Sequence, residues 1–184
     1  MERLILIKPS QEHKNQAIEF IQEFLDHNSD INGAGGLDRY LEDYDKWLQM
    51  LEDYNQGINL PKDYVPSITY FVIRKNDNKI IGMTSIRYYL NDYLLEFGGH
   101  IGYGVRPTER RKGYATMILR LAISKCRELN IEKVLLTCDK SNIGSAKSIK
   151  KNFGVLENEI MNDNDEIVQR YWIDVKKSLE NGIR

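Results

Sequence analysis

Residues Ile101 to Cys126 read IGYGVRPTERRKGYATMILRLAISKC, and the fold turns on this stretch. Its opening is strand-like but carries glycine at 102 and 104. Glycine inside a strand weakens it and often marks a bulge or a close backbone approach to a ligand. The second half repeats Ala115, Ile118, Leu119, Ala122, Ile123 and Cys126 at helical spacing, with Arg120 and Lys125 on the other side. Between the two lie Pro107, which sets a turn, and then Arg110, Arg111, Lys112 and Gly113. The first turn of a helix exposes N–H groups without helical acceptors and the positive end of the dipole. Cations placed there are unfavourable unless an anion sits among them. Gly113 admits that anion to the backbone and Ala115 keeps the next turn slim, so the segment reads as a phosphate cradle rather than a solvated basic turn. A Walker loop does not fit, because Lys112 precedes the glycine; the three-glycine dinucleotide fingerprint is missing.

Upstream, Leu4 to Ile7 is a short strand, and Ala17, Ile18, Ile21, Phe24 and Leu25 define a helix within Gln11 to His27. After Gly33-Ala34-Gly35-Gly36, a stripe from Leu37 through Tyr44 and Trp47 to Leu51 predicts a second helix. Asn55 to Pro66 is an irregular loop suited to cover an acceptor cleft. Ser67 to Arg74 and Lys79 to Tyr89 form a hairpin about Asn76-Asp77-Asn78. Downstream, Lys133 to Thr137 is a strand. Asn142 to Phe153 is a helix with Ile143, Ala146, Ile149 and Phe153 inward, and Val155 to Ile160 with Ile167 to Ile173 closes the chain as a hairpin. The strand–helix–strand unit demands a parallel pair, whereas the hairpins are antiparallel, so the class is α/β with a mixed sheet. No repeat or linker divides residues 1–184; residues 1–66 hold the first strand, two helices and the acceptor-side loop, and residues 67–174 the coenzyme-side sheet and helices.

Of the 184 residues, 41% are hydrophobic and 29% charged, enough for one cored domain. A net charge of -1 argues against a nucleic-acid binder, and no apolar run would span a bilayer. The first residues lack the pattern of a signal peptide, and the location expected is the cytoplasm. Cys126 and Cys138 read as small hydrophobes, and His13, His27 and His100 have no metal-ligand spacing.

The pattern Val105-x-Pro107-x-x-Arg110-x-x-Gly113-x-Ala115 resembles the signature of the GCN5-related N-acetyltransferases (GNAT). Asn142, Ser145, Ala146 and Lys151 approximate that family's second signature. The resemblance implies a mostly antiparallel sheet with one splayed parallel pair, opened between His100–Val105 and Lys133–Thr137. It implies acetyl-coenzyme A as cosubstrate without a metal. Pantetheine would pair with the backbone of Tyr103 and Val105, and the pyrophosphate would sit on Arg110, Arg111, Lys112, Gly113, Tyr114, Ala115 and Thr116. Asn142 and Ser145 would lie near the pantetheine arm. The acceptor would be a small-molecule or aminoacyl amine, with a homodimer through the closing hairpin left open.

An ammonium acceptor must lose a proton before it attacks. Glu96 and His100 are the base candidates, against a solvated acid and a structural imidazole. Tyr103 is the third catalytic candidate and faces away from His100 on an ideal strand. Many family members carry a tyrosine on the last helix that protonates the leaving thiolate; here that position is Ile149. Tyr103 or Tyr114 would have to substitute, or the thiolate leaves unassisted. That departure motivates the competing reading, a non-catalytic acyl-coenzyme A-binding or partner-binding module.

Overall fold

The computed structural model describes residues 3–182. Strand β1 (Leu4–Ile7) leads through a 3₁₀ turn into helix α1 (Lys14–Asp26). The second apolar stripe is broken: Leu37–Arg39 forms a 3₁₀ turn, and helix α2 (Tyr44–Gln56) starts where the Asp43 carboxylate accepts from the Lys46 N–H at 3.1 Å. An aspartate there captures an orphan N–H of the first turn, so the helix begins later than its apolar periodicity suggests.

Strands β2 (Ser67–Arg74), β3 (Lys79–Arg87) and β4 (Ile101–Val105) follow, with a single π-helical turn, Leu94–Gly98, between β3 and β4. With β1 they form an antiparallel sheet in the order β1-β2-β3-β4. Six consecutive residues of β2, Ile68 to Ile73, are buried because helices cover both faces of this sheet. On one face α1 and α2 contribute Phe20, Phe24, Tyr44 and Trp47 against Phe71 and Met83. On the other, helix α3 (Tyr114–Glu128) lays Ile118 on Val72 and Ile81.

Strand β5 (Lys133–Asp139), helix α4 (Ile143–Lys151) and strands β6 (Val155–Met161) and β7 (Ile167–Asp174) make a second antiparallel sheet ordered β5-β7-β6. A short helix, α5 (Val175–Asn181), follows and buries Val175 and Ser178. It was not foreseen. Leu119, Ala122, Ile123, Val134, Ile149 and Tyr171 pack together between this sheet, α3 and α4. Ile143 and Phe153, expected inward, are 62% and 44% exposed. Ile143 opens α4 and Phe153 lies two residues past its end, both beyond the span that the core covers.

The demanded parallel ladder does not form: among the described residues every strand pairing is antiparallel. β4 and β5 are facing edges of two sheets. They meet through His100, whose N–H donates to the Leu135 carbonyl at 2.7 Å, and the edges are not zipped beyond it. No described helix is long and apolar enough to cross a membrane.

Candidate active site

The parting of the two sheets begins at a tightly built apex. The Arg87 guanidinium donates to the carbonyls of Gly98 and Gly99 at 3.1 and 2.9 Å, fixing the chain as it enters β4. His100 is 8% exposed, and its Nδ1 accepts the Leu135 N–H at 3.0 Å. Burial, and secondarily the Arg87 charge, push its pKa down to about 4. A neutral imidazole has one acceptor nitrogen. Here that nitrogen is committed to β5, which gives His100 the part of a structural clasp.

Beyond the apex, β4 has one edge on β3 and the other open. Arg87 N–H donates to His100 O and Arg106 N–H to Ile81 O, so the even-numbered backbone groups serve β3. In an antiparallel ladder the alternate residues point the other way. The backbone groups of Ile101, Tyr103 and Val105 therefore face the gap. The glycines of β4 serve the opposite face, and their close partner is the chain itself: Cβ positions at Gly102 and Gly104 lie 3.3 Å from Gly33 Cα and 2.7 Å from Asn32 O. The loop after α1 thus presses directly on β4.

At the far end of the gap lies the basic loop. Gly113 takes φ +85° and precedes α3, with no side chain capping the helix. A Cβ there would meet nothing within 4 Å, so the junction is open. Arg111, also at positive φ (66°), is exposed, with no side-chain partner among the described residues. The other two cations are more occupied than the sequence implied. Arg110 donates to Val105 O and Ser29 Oγ at 3.2 and 2.6 Å and lies over the Phe24 ring. Lys112 pairs with Glu109 at 2.8 Å.

Sequence reasoning missed Glu109. It is 5% exposed and also takes Arg74 and Lys79, each at 3.0 Å. Burial alone would raise its pKa, yet the bonds from Lys112, Lys79 and Arg74 hold it at about 2. Part of the counter-charge expected from a ligand is thus built in; Arg74 also pairs with Asp77 at 2.7 Å, so three cations to two carboxylates leave a smaller excess. Arg106 was missed too. Its buried guanidinium reaches Glu23 of α1 at 2.9 Å and Ile80 O at 2.8 Å, while Glu23 accepts from the Thr108 N–H and hydroxyl at 2.8 Å each. These bonds staple the loop to α1. Among the neighbouring charges of residues 109–112 nothing singled Arg106 out, because the partners are more than eighty positions apart.

On the face opposite His100, Tyr103 extends towards α4, its hydroxyl 3.1 Å from Ser145 Oγ. Burial raises the phenol pKa, against the lowering effect of the Ser145 bond. The Cys138 thiol lies against Ser145. Thr116 donates to Ser148 Oγ at 3.4 Å and, through its carbonyl, accepts from Asn152, so it ties α3 to α4. Asn142 caps α4 through the Ser145 N–H at 3.0 Å. Tyr114 is buried, with Arg74 donating to its hydroxyl at 3.0 Å. Ile149 is fully buried in the core and faces no cleft. Ala115 stands half-buried in the first turn of α3.

Glu96 is not brought to His100. It is exposed on the π-helical turn, in a groove of about 460 Å³ walled by Leu95, Phe97, Ile160, Met161 and Arg170. The carbonyls of Phe97 and Leu95 accept from Thr137 on β5 and Arg170 on β7, which seats the turn across the second sheet.

Residues 35–155, well over half of the chain, match the model of the acetyltransferase (GNAT) family. The chain belongs to the GNAT family. Solved structures share its fold. A ribosomal-protein-S5-alanine acetyltransferase from Vibrio fischeri aligns with TM-score 0.66 and 18% identity over 93% of this chain and 91% of that one. The microcin C7 self-immunity acetyltransferase MccE, in complex with acetyl-CoA and AMP, gives 0.66 and 16% over 95% and 93%. Mutant forms of the spermidine/spermine N-acetyltransferase SpeG from Vibrio cholerae give 0.60 and 19% over 97% of each chain. No curated protein matches by sequence.

Proposed function

We propose that this protein is an acetyl-coenzyme A-dependent N-acetyltransferase that moves the acetyl group to a primary amine by direct attack on the thioester. One observation carries the reading: two sheet edges joined at a single clasp part beside an open, cation-flanked helix N-terminus. The residues fit the coenzyme. The gap-side backbone of Tyr103 and the Val105 N–H suit an amide-bearing arm, the Val105 carbonyl being taken by Arg110, and the 111–115 loop suits a diphosphate. Ser145 and the exposed Asn142 border the same opening.

An N–H on the gap side of β4 would stabilise the oxyanion. Of the two base candidates, Glu96 is the one we assign, because the acceptor nitrogen of His100 is already used. The MccE complex supports coenzyme use, and the SpeG and S5-alanine enzymes support amines as acceptors. Aminoacyl termini and small polyamines are the first acceptors to test.

Calorimetry with acetyl-coenzyme A, followed by thiol release across an amine panel, tests the reading. Absent binding refutes it. Binding without thiol release would favour the non-catalytic acyl-coenzyme A module that Ile149 suggests.

A further inference from the structure

Resting on that reading, we propose that Tyr103 protonates the departing thiolate, so that the acid comes from strand β4 rather than from helix α4, and that Ser145 is its relay.

The geometry is specific. The Tyr103 backbone borders the open gap, while its side chain leaves the strand on the face of α3 and α4 and ends 3.1 Å from Ser145 Oγ. Ser145 and Ser148 are three apart and share one face of α4, and Ser145 is the one that hydrogen-bonds the phenol. The phenol reaches from one wall of the divide to the helix that follows the other wall. A thioester lying in the gap would have its sulfur beside it.

Other hydroxyls do not compete. The Tyr114 oxygen is held by the Arg74 guanidinium, in the Glu109 cluster at the phosphate end. Ser148 donates to Gly144 O at 3.0 Å and is 5% exposed, so its proton is engaged in the helix. Ile149, at the position from which α4 would supply an acid, has no exposed surface. Burial keeps the Tyr103 phenol protonated at neutral pH, the state an acid needs.

The step balances as follows. After the amine nitrogen adds to the carbonyl, the C–S bond breaks and its electron pair stays on sulfur. The Tyr103 O–H proton moves to that sulfur. Ser145 passes a proton to the phenolate and takes one from water at the exposed first turn of α4 (Asn142, Ile143 and Gly144). The nitrogen loses two protons, one from the ammonium before attack and one as the tetrahedral adduct collapses to the amide; both pass to solvent, where one replaces the proton that water gave to Ser145. The products are amide, coenzyme thiol and one proton. Tyr103 is the catalytic residue here; Ser145 is a positioning residue.

The test needs no acceptor. The thiol of bound coenzyme A is titrated by thiolate absorbance in wild type, Tyr103→Phe and Ser145→Ala, with the desulfo-coenzyme A complex subtracted to remove tyrosine ionisation. A phenol that donates to sulfur stabilises the thiolate, so Tyr103→Phe raises the thiol pKa by about one unit or more. Ser145→Ala raises it less. Loss of packing alone would not move this quantity. A Tyr103→Phe protein that binds coenzyme A with an unchanged thiol pKa overturns the proposal. Should that variant not fold, an unchanged thiol in Ser145→Ala overturns it instead. If wild type does not bind coenzyme A, the transferase reading itself has failed, a result distinct from either of these.

Discussion

Replacing Gly113 separates charge from strain at the proposed diphosphate site. Its φ of +85° is a left-handed conformation, and an added Cβ would find open space. Any L side chain there costs about 1–2 kcal/mol of backbone strain. For a domain of this size that lowers Tm by roughly 2–8 °C and leaves the fold intact. Gly113→Ala carries this strain alone. Gly113→Glu adds a negative charge; at roughly 5 Å and an effective dielectric of about 20, one like-charge pair costs about 3 kcal/mol. The glutamate variant should then bind acetyl-coenzyme A at least about 100-fold more weakly than the alanine variant. Calorimetry at low salt reads the affinities, and thermal melts confirm that both variants fold. A glutamate variant within about threefold of the alanine variant would refute the argument that a diphosphate docks at this junction.

Further outcomes follow from the same geometry. Arg106→Met leaves Glu23 without its partner in a largely buried pair, which costs about 3 kcal/mol and lowers Tm by roughly 6–12 °C; scanning calorimetry showing no fall would refute the staple. His100 titrates near 4 when folded, against 6.5 when unfolded, so its stabilising neutral state is favoured above pH 6.5 and stability is lost as pH falls from 6.5 to 4, by up to about 3 kcal/mol. Urea melts across that window should show the loss in wild type and a flatter profile in His100→Gln. Burial raises both thiols, but Cys138 is only partly buried, whereas Cys126 is fully buried and pushed up to about 12. N-ethylmaleimide should label Cys138 first, with coenzyme A slowing it, as peptide mass spectrometry would show. Glu96→Gln should lower the kcat/KM of amine transfer at neutral pH by about 100-fold or more while leaving coenzyme affinity unchanged; an unaltered kcat/KM would remove Glu96 as base.

Much of the fold was legible along the chain. The short apolar run of Ser67–Arg74 and the apolar stripe of Ala115–Cys126 are local patterns, and both elements stand where those patterns place them. The site was legible only in its backbone part. Gly113 at the helix start follows from its neighbours, because helix dipoles and missing acceptors are properties of a single segment. The role of His100 was not legible, since the Leu135 N–H that occupies its nitrogen belongs to another sheet. Glu109 looked like one more surface acid, and only the return of Arg74 and Lys79 on the neighbouring hairpin made it a buried hub.

Element types, their order and the anion-seeking junction were thus written in short-range periodicity and turn chemistry. Long-range packing set the rest: where β4 and β5 part, which cations remain available, and which hydroxyl faces the cleft. Side-chain direction and burial depend on partners brought close by folding, and no spacing along one chain encodes the 3.1 Å between Tyr103 and Ser145.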